Sequence, residues 1–423
     1  MHRATAQALI AAGLALSLAL CGCRGKSLRV LCLAGTPGEQ LLRDRLARAH
    51  QSAGPRIQYE IANSRDELIL AARRRPAPDA IWASDAALAE VDRVAVLEDL
   101  APRLRTAGQE QAFAQPALDL CRSGARLRAL PIDIFVAALY FNQELFTQGQ
   151  VPVPRGDWTW SQYLAAAKRL TLDTNGDGVP DIYGVCRLSE LQAMLLQAGV
   201  RTFDESLTRC IIAQQPEVAQ ALNFYLDLDR AHHVAYPSAG YDVVQVFGAG
   251  RAAMFVGSSR WVAELSRMTD LEWAASPAPS DRPNQGAVPM GAICIAIPKG
   301  AKQPEEAWRF ALFCASREGQ QAGGEALAGA VPAQTAAATL PVFNPAQPTG
   351  FAALVQGAYQ SKGLPTTWAR SYLDREVWSK ELDGLLAGTQ TVEQTLANLQ
   401  AAGERILKMD LAQAAAAATR QRR

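Results

Sequence analysis

The stretch "SLRVLCLAGTPGEQLLRDRLARAHQ", residues 27–51, sets the fold. It opens on an apolar run that reads as a strand and ends at a Gly-Thr-Pro-Gly turn. Leu41, Leu42, Leu46 and Ala49 then recur at helical spacing. "RIQYEIA" (56–62) reads as a second strand, "SRDELILAARRR" (64–75) as a Ser-capped helix and "PDAIWAS" (78–84) as a third strand. Strand and helix alternating in this way predict a parallel sheet with crossover helices, an α/β architecture. Ligands bind such sheets at the carboxyl ends of the strands. Those ends carry Thr36 and Glu39, then Trp82, Ser84 and Asp85.

Farther on, "LRALPIDIFVAALYFNQELF" (127–146) predicts a long apolar strand with Pro131 near its start. "PRGDWTWSQYLAAAKRLT" (154–171) predicts a helix capped by Asp157 or Thr159. Residues 271–302 alternate Pro/Gly loops with apolar strands, and "PEEAWRFALFCAS" (304–316) has Pro304 and acids in its first turn, as a helix start does. The end, "DLAQAAAAATRQRR" (410–423), reads as a frayed tail. No internal repeat is visible.

The chain has 423 residues, 49% hydrophobic and 20% charged, with net charge +1. That is material for two or three domains with a sizeable core. The charge balance gives no case for a nucleic-acid partner. His2 and Arg3 precede the apolar run "ALIAAGLALSLAL" (8–20), which has signal-peptide length. It ends in "LCGC" (20–23), which resembles a bacterial lipoprotein cleavage box. Cys23 fits its lipidation site better than Cys21, because small Gly22 precedes it while bulky Leu20 precedes Cys21; an ordinary secretory signal with an accidental Cys is the alternative. Residues 1–22 are then signal and 23–27 tether. "GKS" (25–27) is no phosphate loop, since Leu20 stands where the first glycine belongs. Of the other cysteines, Cys186 and Cys210 are the preferred disulfide pair. Cys32 and Cys294 sit in strand-like runs and read equally well as buried thiols.

"TLDTNGDGVPDIYG" (171–184) looks like a calcium loop. Counting Asp173 as first, the twelfth position is Gly184 rather than the bidentate Glu of an EF-hand, so it is no sensor hand. In one reading Asp173, Asn175, Asp177, Asp181 and the Val179 carbonyl bind a structural calcium. In the other the side chains tie a turn to its own backbone. The metal-free turn is preferred; no cofactor is required in either reading.

Six blocks, in order, carry a family resemblance: "PDAIWASDAALAEVDRVAVLEDLAPRL", "ALPIDIFVAALYFNQELF", "DWTWSQYLAAAKRLT", "FGAGRAAMFVGSSRWVAEL", "GAICIAIPKGAKQPEEAWRFALFCAS" and "AGAVPAQTAA". Together they resemble the extracellular solute-binding proteins of bacterial ABC importers, in the sugar-binding group of the maltose- and glycerol-phosphate-binding proteins. The resemblance implies a periplasmic-binding-protein-like fold, two α/β lobes with a ligand cleft and several hinge crossings. The crossings fall near residues 130–135, 288–293 and 330–334. Lobe one becomes 28–132 with 290–331, lobe two 133–289 with 332–410, and 411–423 a flexible tail. Carbohydrate as ligand, ABC permease subunits as partners and a monomeric state are expected from the same resemblance, and the "LCGC" box adds a lipid anchor facing the periplasm or exterior.

The resemblance also implies site residues. Trp82 and Asp85 match strand-end contacts, Thr36 and Glu39 the first loop, and Asp133 follows the hinge "LP". Trp261 matches an aromatic after "AM", Gly291 the hinge glycine, and Trp368 in "TTWARSY" a further aromatic. Trp82 and Trp261 read otherwise as core, and Asp133 as a hinge brace. Trp160 and Trp308 are assigned to packing, and Arg370 to a pair with Asp374. Two departures stand out: Gly291-Ala292 where the family often shows two glycines, and Ser259-Arg260 where it often has a small residue and Pro. Arg260 beside a cleft raises an anionic ligand, such as a polyol phosphate, against a neutral sugar; Arg260 facing solvent is the alternative. An exported glycoside hydrolase is the rival class, with 41 acids available but only four histidines and no G-x-S-x-G. A sensor lipoprotein would share the fold.

Overall fold

A computed structural model describes residues 27–421 except 95–96, 188–189, 205, 238–241, 281–287, 344–349 and 362–365. The expected strands Leu28–Leu33, Ile57–Ala62 and Ala80–Ser84 pair in parallel, with Leu28–Leu33 in the middle. The helix between the first two, Pro37–His50, starts with a capping box: the Thr36 hydroxyl accepts from Glu39 N–H and the Glu39 carboxylate accepts from Thr36 N–H. Its buried residues Leu42 and Leu46 join the core cluster that also holds Leu28 and Val30 of the first strand.

Beyond Ala80–Ser84 the nine-stranded sheet turns antiparallel. Met290–Ala296 lies beside Ala80–Ser84 and beside the longest strand, Leu130–Asn142. That long strand changes neighbours part-way. Leu130 to Val136 pair with the Met290–Ala296 strand, and Asp133 and Ile134 pair on the other edge with Val331–Pro332. Ala137 to Asn142 pair instead with Ala252–Ser258 and Trp273–Pro277. A short parallel strand, Tyr183–Val185, closes that edge. Past the change of partners, side chains alternate between two cores: Ala138 and Tyr140 belong to one, Leu139 and Phe141 to the other.

One short helix, Trp368–Leu373, presents three different faces. Ala369 and Leu373 enter the second core. Trp368, Ser371 and Arg375 meet the Asp85–Val94 helix: the Arg93 guanidinium lies 3.4 Å from the Trp368 ring centroid, and Glu90 binds Arg375 Nη2 at 3.1 Å and Ser371 Oγ at 2.8 Å. Glu90, 2% exposed, also holds Arg65 Nη1 at 2.9 Å. The third face carries Arg370 and Asp374. The helix then widens into a π-turn, Asp374–Trp378, which keeps Trp378 on that same side.

Two expectations change. Residues 411–421, read as a tail, continue the helix Val392–Gln421, because a run of alanines has the strongest intrinsic helix preference. Cys186 and Cys210 do not meet: Cys186 Sγ points to the Val243 and Met254 carbonyls, while Cys210 belongs to the other core. All six described cysteines are buried, and none is in a disulfide. Trp158, Trp160 and Trp308 are each 8% exposed. Among the described residues no helix is long and apolar enough to cross a membrane. The signal segment and Cys23 lie outside the described residues.

Replacing Glu90 by Ala takes the buried carboxylate away from Arg65 and from Arg375 Nη2, while Arg375 Nη1 keeps Asp66 and Glu376. Breaking such a network is expected to cost about 3 kcal/mol, read as a lower urea midpoint at unchanged m-value. A midpoint equal to that of the parent protein contradicts the assignment.

Candidate functional site

A cavity of about 320 Å³ lies where the long strand, the 288–291 segment and the Trp368–Leu373 helix converge. Its apolar lining comes from Phe135, Leu120, Val288, Met290 and Gly291 and from Leu195, Leu196, Val200 and Ile212. Asp85, Thr366, Arg370, Asp374, Gln192 and Thr202 supply the polar groups, and Trp378 adds an indole. Gly291 is needed here for space. A Cβ on it would meet the Phe135 ring at 2.3 Å, so a larger residue would push that ring from its place.

Asp85 begins the Asp85–Val94 helix and is 5% exposed. Its Oδ1 accepts from Ala292 N–H at 3.0 Å and its Oδ2 from the Thr366 hydroxyl. Burial raises its pKa, and those two donors offset the rise in part. Arg128 fixes Thr366 in turn, donating to its carbonyl at 2.5 Å. Across the cavity Arg370 Nε lies 3.6 Å from Asp374 Oδ2, the pairing expected from their spacing. Asp374 keeps 45% of its side-chain surface open, yet desolvation raises its pKa despite Arg370. The two facts agree if the open surface faces the cavity, which protein atoms surround.

A second polar cluster adjoins the Phe135 ring. The Arg260 guanidinium lies 5.6 Å from that ring's centroid. Its Nη2 donates to Asp133 Oδ1 at 2.6 Å, and its Nη1 is 3.7 Å from Glu39 Oε1. Asp133 is fully buried, and Oδ2 has no partner among the described residues. Burial raises its pKa, Arg260 lowers it, and Glu39 raises it slightly. Two carboxylates thus already engage Arg260, which keeps 23% of its side-chain surface exposed.

The residues singled out from sequence fall into three groups. Asp85 and Gly291 line the cavity. Glu39 and Asp133 meet at Arg260, with Thr36 held in the cap of Glu39. Three tryptophans lie elsewhere: Trp82 is 3% exposed in the core, Trp261 packs at the edge of that core beside Gly257, and Trp368 lies under Arg93. Sequence reading missed Phe135 and Trp378. Both had a signal: Phe135 lies two residues after Asp133, on the same strand face, and Trp378 follows Arg370 and Asp374 at intervals of four.

In the Asp-rich loop the side chains turn onto the loop's own backbone. Asp173 accepts from Gly176 N–H at 2.7 Å and Gly178 N–H at 2.8 Å. Asp177 accepts from Val179 N–H at 2.8 Å, and Asn175 from Asp177 N–H at 2.9 Å. Asp181 accepts from the Thr174 hydroxyl and N–H. The Gly178 N–H is the main cause of a lowered Asp173 pKa, and the Thr174 hydroxyl of a lowered Asp181 pKa. Any cation here would compete with these donors. No group of three or more His, Cys, Asp or Glu suited to a metal occurs among the described residues.

The bacterial extracellular solute-binding protein family matches residues 55–353. The chain belongs to this family. No curated protein matches it. Among solved structures, an ABC substrate-binding protein from Listeria monocytogenes in complex with cycloalternan is 21% identical, with a TM-score of 0.75 over 90% of this chain and 98% of that one. The cyclic α-maltosyl-1,6-maltose binding protein of Arthrobacter globiformis is 16% identical, with a TM-score of 0.72 over 90% and 99%. A solute-binding protein from Agrobacterium radiobacter in complex with ribitol is 18% identical, with a TM-score of 0.73 over 91% and 99%. The fold is thus periplasmic-binding-protein-like.

Removing the Arg260 guanidinium leaves Asp133 buried without a cation. Arg260→Ala is expected to lose about 3 kcal/mol near neutral pH, and less in acid. A carboxyl whose pKa is raised by folding contributes stability below its unfolded pKa and loses it as pH rises through the raised value. Urea midpoints at about pH 5 and about pH 8 check this: the gap to the parent protein should widen at the higher pH. A gap independent of pH contradicts it.

Proposed function

We propose that this protein captures a small carbohydrate or polyol, unreacted, by closing two lobes on it, and delivers it to the permease of an ABC importer. The observation that carries the reading is the cavity beside the long strand's change of partners. It holds Phe135 for the C–H face of a sugar ring, and Asp85, Gln192, Thr202, Arg370 and Asp374 for hydroxyls. Its volume of about 320 Å³ sits at the lower end for small-molecule sites, which favours a short ligand. The polyhydroxylated ligands of the structural neighbours support the same class.

A neutral ligand is favoured over a polyol phosphate, because Arg260 is engaged by Asp133 and Glu39, and Arg370 by Asp374. The lobes of this reading are residues 28–132 with 290–331 and 133–289 with 332–410, hinged on the long strand. Action as a monomer belongs to the same reading. Membrane attachment through lipidated Cys23 rests on the "LCGC" box, outside the described residues. The Asp173–Asp181 turn is read as metal-free, since its oxygens are spoken for by backbone N–H groups.

Calorimetric titration with a panel of mono-, di- and trisaccharides, polyols and polyol phosphates tests this. A carbohydrate or polyol should bind with 1:1 stoichiometry and be recovered with unchanged mass. Phe135→Ala should weaken it by about tenfold or more. In the same instrument, calcium added to chelated protein should give no heat. Preference for the phosphate ester, or hydrolysis of the ligand, contradicts the reading.

A further inference from the structure

We propose that Cys121 and Cys294 are a disulfide-forming pair that fastens one wall of the cavity when the protein folds outside the cytoplasm. Their sulfurs lie 3.1 Å apart, and both residues are fully buried. Thiols are weak hydrogen-bonding partners, so an approach this close is poorly explained by thiol contact alone. The backbone holds both positions. Cys121 ends the helix Gln115–Leu120, where its N–H reaches the Leu118 carbonyl at 3.0 Å and its own carbonyl accepts from Arg128 N–H at 3.1 Å. Cys294 follows a bulge in the Met290–Ala296 strand and pairs with Ala83 on its other side. Leu120 and Gly291, close neighbours of the two cysteines in the chain, both line the cavity. The family works outside the cell, where disulfides persist.

The chemistry is thiol–disulfide exchange through a mixed disulfide with a disulfide-bearing oxidant, a protein or a small thiol in its oxidised form. The two S–H bonds break and one Sγ–Sγ bond forms. The two electrons and two protons released reduce the oxidant's S–S bond to two thiols. Timing follows from burial, which raises the Cys294 pKa well above its ordinary value and starves the folded protein of reactive thiolate. The bond therefore forms while this strand is still being covered. It closes a loop between residues 173 apart, long enough for a large effect on the unfolded chain. The remaining described cysteines, Cys32, Cys186, Cys210 and Cys314, stay as thiols and serve as internal controls.

The test uses the full chain exported to an oxidising compartment, denatured in N-ethylmaleimide without reductant, and digested. A peptide pair linking Cys121 to Cys294 is expected, lost on prior reduction, with the control cysteines carrying the label. Dithiothreitol is expected to lower the Tm of the parent protein by several degrees and to leave that of a Cys121→Ser, Cys294→Ser double variant unmoved. Full labelling of both Cys121 and Cys294, or linkage of either to a different cysteine, overturns the proposal. If the double variant does not fold, the peptide map of the parent protein decides alone.

Discussion

The hydrogen-bonded run of Leu130–Asn142 is the constraint on which the rest depends. Its first half is bonded to Met290–Ala296 and its second half to Ala252–Ser258 and Trp273–Pro277. A strand cannot slip register by one residue without turning every side chain to the opposite face. Asp133 and Phe135 are therefore held on one face with their spacing fixed. Asp133 takes Arg260, Phe135 carries the cavity wall, and Gly291 on the neighbouring strand leaves room for the ring.

The second support is the Trp368–Leu373 helix. Six residues make a poor helix alone. This one is stable because each face has an occupation: apolar residues in the second core, a charged and aromatic face against the Asp85–Val94 helix, and Arg370 with Asp374 toward the cavity. Glu90, sealed among Arg65, Arg375 and Ser371, is where that docking concentrates its electrostatics. In the proposed division of lobes this contact joins residues of different lobes, so the proposal ties closure to the Glu90 network.

Much of this was legible in the chain. Alternation of strand and helix over residues 28–84 and the apolar strand after Pro131 are local patterns, and local patterns survive into the fold. Asp85 was singled out at a strand end and Gly291 through the family resemblance, and both line the cavity. The tryptophans were not. Trp82 and Trp368 sit in plausible sequence contexts, but burial against the sheet and capture by Arg93 decide where their rings go. Arg260 was readable as a cation near a cleft, though not as the partner of carboxylates far away in sequence. The contact of Cys121 with Cys294 is likewise a product of tertiary packing, invisible to spacing, which pointed to Cys186 and Cys210 instead.

The central claim is that two lobes, continuous through one strand, shut on a solute that leaves unchanged. Small-angle X-ray scattering of the protein with and without a saturating carbohydrate or polyol measures it most directly. The account predicts a fall in radius of gyration on binding, reversed when the intact ligand is dialysed away. A radius that does not respond to a ligand known to be bound would contradict it.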